Sequence, residues 1–119
     1  MYSPQLLDHF QNPRNAGDVA GADTSAEIEN PVCGDVLRLT LKVDAGRIQE
    51  IRFKAKGCVP SMACASALTE LASGMSLSEA RSISRDTLIA AVGGLPQASA
   101  HAAQLALDTL STALRQIKP

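Results

Sequence analysis

The chain is poor in the residues that build flat stacking surfaces. It has no Trp, one Tyr and two Phe in 119 residues, which argues against stacking on nucleic-acid bases. Neither charge sign dominates: 11 Lys and Arg stand against 12 Asp and Glu, a formal net charge of −1. That balance gives nucleic acid or an anionic membrane no electrostatic reason to bind. No stretch approaches the roughly 20 apolar residues of a membrane span. The opening "MYSPQLLDHF" lacks the basic and apolar regions of a secretory signal. Cysteine is sparse too, with three in the chain and no pair spaced as CxxC. A zinc ribbon or a thioredoxin-type motif is thereby excluded. Three thiols in an untargeted chain point to a reducing, cytoplasmic setting rather than to a disulfide framework.

What remains is 45% apolar, enough for one core built from Leu, Ile, Val and many Ala. The length suits a single domain spanning 1–119. Ser3 followed by Pro4 reads as an N-cap and first helical position, and "NPRNAG" stops that short helix. Gly17 to Thr24 reads as a small polar linker, and Ser25 to Asn30 as a first strand ended by Pro31. In "VLRLTLKV", Leu37, Leu39, Leu41 and Val43 fall on one face, with Arg38, Thr40 and Lys42 on the other. Asp44-Ala45-Gly46 is a hairpin signal, and "RIQEIRFKAKG" returns with Ile51, Phe53 and Ala55 on one side. The expectation is an antiparallel meander with one buried and one wet face.

After Gly57 the period becomes helical. "CVPSMACASALTELASG" has Pro60 near its start and Gly74 at its end, and Ser76 with Glu79 forms a capping box for a short helix. "DTLIAAVGG" gives another short helix. A long last helix runs from about Ala98 to Ile117, with Ala102, Leu105, Ala106, Thr109, Ala113 and Ile117 along one face. The predicted fold is α+β: a three-stranded antiparallel sheet with helices on one face and a long C-terminal helix.

Four residues stand at element ends, where side chains can converge without disturbing a core. Cys33 and Asp35 fall in the turn before a strand, Cys58 where a strand gives way to a helix, and His101 in the first turn of the last helix. A helix N-terminus favours the thiolate of Cys58, the form that binds metal or attacks sulfur; a small buried thiol closing the junction is equally compatible. Asp35 by itself is an ordinary turn residue bonded to nearby backbone, and His101 by itself an ordinary satisfied histidine. Cys64 follows Cys58 by six residues, which on a helix is about 120° around and about 9 Å along. It sits among Ala63, Ala65 and Ala67 and reads as core filler.

Taken in order, these segments resemble the iron–sulfur cluster scaffold family of IscU and the N-terminal module of NifU, with SufU as a relative. The likeness runs nearly end to end. It is carried by "YSPQLLDHFQNPRNAG", "CGDVLRLTLKV", "IRFKAKGC", "LTELASGMSLSEA" and a "GLP…H" segment before the last helix. The resemblance implies a protein that assembles a nascent cluster, usually [2Fe–2S], from iron and from sulfur supplied by a cysteine desulfurase, and passes it to apo iron–sulfur proteins. It implies Cys33 and Cys58 as thiolate ligands of iron or zinc, Asp35 as a carboxylate that keeps the site labile, and His101 as the residue that completes it. A hard carboxylate beside soft thiolates suits a loading site rather than a permanent one.

Two departures from the family pattern stand out. The family's third cysteine directly follows the histidine, and here Ala102 is in that place. Its chaperone-recognition stretch, "LPPVK", reads "LPQAS" here, from Leu95 to Ser99. Three functions therefore compete: a cluster scaffold or carrier, a zinc-holding or metal-free module that docks on a cysteine desulfurase without building a cluster, and a thiol enzyme using Cys58 with His101 as base. The last has no sequence feature that supplies a substrate pocket or an oxyanion site.

Overall fold

The computed structural model describes residues 2–31 and 34–117. Ser3 opens the first helix, α1 (Pro4–Gln11): its backbone is extended and its side chain accepts the Leu6 N–H at 3.0 Å. The Ser3 hydroxyl also donates to the Val92 carbonyl. Three strands follow, β1 (Thr24–Asn30), β2 (Asp35–Asp44) and β3 (Arg47–Lys56), forming one antiparallel sheet in the order β1-β2-β3. The helices are α2 (Val59–Ala72), α3 (Leu77–Arg81), α4 (Arg85–Ala91) and α5 (Ala100–Arg115), with a turn of 3₁₀ helix at Gln97–Ser99 just before α5. The α+β architecture is the one the sequence implies. Among the described residues no helix is long and apolar enough to cross a membrane.

The alternation in β2 and β3 selects the packed face. Leu39 pairs with Ala26 on one side and Phe53 on the other, and Leu41 with Ile51; all five are buried. The helix α5 lies over β1 and β2, and α2 lies against β3 and α5. Both helices bury many alanines, Ala63, Ala65, Ala67 and Ala72 in α2 and Ala102, Ala103, Ala106 and Ala113 in α5. Small side chains let the helices approach closely, while Leu68, Leu110 and Leu114 fill the remaining space. Each such leucine contributes roughly 1.5–3 kcal/mol by leaving water.

Three local expectations are corrected. Val43 does not continue the buried row, because the register shifts between Lys42 and Val43 and leaves Val43 only half-buried. The hairpin turn itself holds: Ala45 and Gly46 both have positive φ, as a two-residue primed turn requires. The segment after α1 is not a passive linker. Gly17 N–H donates to the Phe53 carbonyl at 2.8 Å, Phe53 N–H donates to the Asn15 carbonyl at 3.0 Å, and Val19 N–H donates to Thr40 Oγ1 at 2.8 Å. Asp18 meets Arg38 at 3.3 Å and Lys54 at 2.9 Å. The face expected to be wet is thus partly covered, and Thr40 is buried. Together with Gly74 and Met75, which bond to Ile48, residues 15–17 also cap the edge of β3, which would otherwise offer unpaired backbone groups.

The opening motif has a structural task. Arg14 pairs with Asp8 at 2.6 Å and reaches Glu70 of α2 at 3.7 Å. Asn15 Nδ2 donates to Thr69 Oγ1 at 3.3 Å, and His9 Nδ1 lies 2.9 Å from Ser66 Oγ. His9, Arg14 and Asn15 therefore hold α1 and its exit against one side of α2, with Asp8 steadying Arg14.

Candidate metal centre

Asp35 is the first residue of β2, paired with Asn30 across the sheet. It belongs to the strand rather than to the turn before it, and it is 1% exposed, while Cys58 and His101 are half-buried. Its partners do not come from nearby backbone, as for an ordinary turn aspartate. They come from the junction where β3 ends and α2 begins. There Gly57 takes φ +140, and a Cβ on it would lie 2.0 Å from Asp35 Oδ1. Only a residue without a side chain lets the chain pass this close to the carboxylate.

Cys58 is the N-cap of α2, extended at φ −76 and ψ 159, and its own side chain makes no capping bond. Its N–H donates to Asp35 Oδ1 at 2.9 Å, and its thiol donates to Oδ2 at 3.3 Å. One turn into the helix, the Ser61 hydroxyl donates to Oδ2 at 2.9 Å and lies 3.2 Å from Cys58 Sγ. Burial works against ionising Asp35, but these bonds outweigh it, the Cys58 N–H first, then Ser61 and the Cys58 thiol, with His101 adding a smaller attraction. The net result holds the carboxyl below its ordinary value. At neutral pH it is an anion with acceptors only.

His101 comes from the first turn of α5. Its Nε2 lies 3.5 Å from Asp35 Oδ2, yet it is buried and has no hydrogen-bond partner among the described residues. A buried ring nitrogen without a partner is costly unless something else binds it. One ligand atom each from Asp35, Cys58 and His101 lie within 4.8 Å of one another. A tetrahedral ion with bonds of about 2.0–2.3 Å holds its ligand atoms roughly 3.3–3.7 Å apart, so small adjustments suffice. The donor set, one thiolate, one imidazole and one carboxylate, suits iron or zinc.

Of the four residues expected to converge, the structure therefore brings together Asp35, Cys58 and His101. Cys33 lies outside the described residues. Cys64 is fully buried in the core, and burial, with a smaller contribution from Cys58, pushes its thiol up to about 12. It is not a thiolate at physiological pH. Ala102, where the family has its third cysteine, is 1% exposed and belongs to the core. Gly57 and Ser61 also belong to the site, and sequence reasoning does not single them out. The one available signal was their place beside Cys58 at a strand-to-helix junction.

The comparisons with known proteins identify the family. The sequence profile of the NifU-like N terminal domain family matches residues 1–118, and the chain belongs to that family. It is 44% identical over 114 residues to the iron-sulfur cluster assembly scaffold protein IscU 1 of Archaeoglobus fulgidus, covering 96% of this chain and 74% of the relative. It is 40% identical over 121 residues to the scaffold protein IscU of Escherichia coli K12, covering 98% and 94%. A crystal structure described as a putative iron-sulfur cluster assembly scaffold protein for the SUF system from Fervidobacterium islandicum superposes with a TM-score of 0.79. That likeness is at 21% identity over 95% of this chain and 96% of the other, and it shows the common fold.

Proposed function

We propose that this protein is an iron–sulfur cluster assembly scaffold or carrier: it receives iron and sulfur at a site built on Cys58, Asp35 and His101, and hands them to apo-proteins. The observation that carries the reading is the convergence of three mixed donors within 4.8 Å, in a chain whose relatives bear the scaffold name. Iron and sulfide are cargo here, so the site has to bind and let go. Cys58 supplies a soft thiolate, His101 a borderline nitrogen and Asp35 a hard oxygen. The hard ligand is the one a competing acceptor displaces most readily from a sulfur-bridged iron centre. Cys33, two residues before Asp35, is proposed as the second thiolate. The cargo we assign is [2Fe–2S]. The sulfur donor is a cysteine desulfurase, and no catalytic step by the chain itself is required.

The test is anaerobic reconstitution with ferrous iron and sulfide, followed by incubation with an apo-ferredoxin. A scaffold turns brown, shows sulfur-to-iron charge-transfer bands, and converts the apo-protein to its holo form. A chain that stays colourless, or that takes up zinc alone, is instead a docking module that builds no cluster.

A further inference from the structure

The carboxylate of Asp35 is held from two sides, and the two holds differ in kind. Oδ1 is fixed by backbone: it accepts the Cys58 N–H at 2.9 Å, and the chain at Gly57 passes too close to admit a Cβ. Oδ2 is the oxygen that faces the other donors, 3.3 Å from Cys58 Sγ and 3.5 Å from His101 Nε2. Besides the Cys58 thiol, the Ser61 hydroxyl donates to Oδ2, at 2.9 Å. We infer that Ser61 is a positioning residue: its hydroxyl sets Asp35 Oδ2 as the donor oxygen and keeps it beside the Cys58 sulfur. This inference rests on the metal-site reading above.

Metal ligation changes which protons are available to Oδ2. A thiol that binds metal gives up its proton, so Oδ2 then loses its bond from Cys58 and faces a sulfur anion at close range. The Ser61 hydroxyl keeps its proton and reaches both atoms, Oδ2 at 2.9 Å and Sγ at 3.2 Å. Donating that proton to Oδ2, it keeps the carboxylate oxygen in place after the thiol proton has gone. Ser61 is 5% exposed, so bulk water does not readily take over this task. It also stands in the first turn of α2, a rigid element anchored in the core. Partners that hold a ligating carboxylate typically change metal affinity by about 10–100-fold when removed.

The experiment uses Co²⁺ alone as the probe, so it needs no cluster assembly. Binding is measured by competition with a chelator for the unmodified chain, Ser61→Ala, Asp35→Ala and the double variant, with urea midpoints as a check on folding. Ser61→Ala should weaken Co²⁺ binding about 10–100-fold. The sulfur-to-cobalt charge-transfer band should remain, because Cys58 still ligates, while the ligand-field bands shift as the carboxylate leaves its place. In the Asp35→Ala background the same change should alter affinity by no more than about twofold, since a residue that acts through another contributes nothing once that partner is gone. Equal binding by Ser61→Ala and the unmodified chain overturns the inference. So does an equal loss in both backgrounds, which would mean that Ser61 acts through the fold or through Cys58. If the unmodified chain binds no Co²⁺, the metal-site reading itself fails, and this inference with it.

Discussion

Cys58 donates to both oxygens of Asp35, through its N–H to Oδ1 at 2.9 Å and through its thiol to Oδ2 at 3.3 Å. A single residue at the start of α2 thus ties down the first side chain of β2. The thiol and the carboxylate are paired before any metal arrives, and α5 brings His101 to the same oxygen. Three elements joined by one core fix the three donors, so loading the site requires little rearrangement.

Gly57 is the most sensitive backbone position of this arrangement. Gly57→Ala puts a Cβ where Asp35 Oδ1 sits, in a φ region that side chains rarely adopt. We expect a loss of about 1–3 kcal/mol in folding free energy from the backbone strain alone, and a further loss of retained metal because Asp35 is displaced. Urea unfolding and Co²⁺ titration check this; unchanged values for both would show that the junction has more room than the structure gives it.

Asp35→Ala should separate stability from cargo release. Removing the carboxylate leaves the Cys58 N–H and the Ser61 hydroxyl without their acceptor, at a cost of about 1–3 kcal/mol. A reconstituted cluster should nevertheless leave more slowly when challenged with a chelator, because the readily exchanged hard ligand is gone. That is a statement about exit rate, distinct from the equilibrium affinity for a single ion. Equal or faster loss would reject the labilising role of Asp35.

Cys64 should behave as a core residue. With no exposure and a thiol pushed up to about 12, it should escape alkylation by iodoacetamide in the native protein and react only in urea. Peptide mass mapping reads both states. Cys64→Ala should leave the amount of retained iron unchanged, and a collapse of metal retention in a folded Cys64→Ala chain would make Cys64 a ligand.

His9 predicts a pH dependence that has nothing to do with metal. Burial lowers its pKa below 6.5, Arg14 lowers it further, and Glu70 and Asp8 offset part of the shift. The unfolded chain therefore takes up this proton more readily than the folded one. The stability contributed by neutral His9 is fully present above about pH 6.5 and is lost as the pH falls from there towards the folded value. Urea midpoints between pH 8 and pH 5 should decline for the unmodified chain and flatten for His9→Gln. Identical profiles would assign the decline to other groups.

Much of the fold is legible because it is local. The alternation of Leu37, Leu39 and Leu41 with polar neighbours gives β2, Asp44-Ala45-Gly46 gives the hairpin, and Ser3 and Ser76 announce their helices. The covering of the polar face by residues 15–19 was not legible, because it depends on hydrogen bonds to the Phe53 backbone and the Thr40 hydroxyl far along the chain. The site divides the same way. Asp35, Cys58 and His101 stand out by their place at element ends, but each alone reads as an ordinary residue, and it is the family resemblance that joins them, with Cys33, into one site. The burial of Asp35 and the parts played by Gly57 and Ser61 arise only when the start of β2 meets the start of α2, 23 residues on in sequence. Sequence periodicity carries no record of that meeting.

The most direct test of the central claim is a count of metal and acid-labile sulfide on the protein expressed in its full length and purified without oxygen. The scaffold account predicts iron and acid-labile sulfide in equal amounts, both lost in Cys58→Ala. Zinc or no metal, with no sulfide, would contradict it.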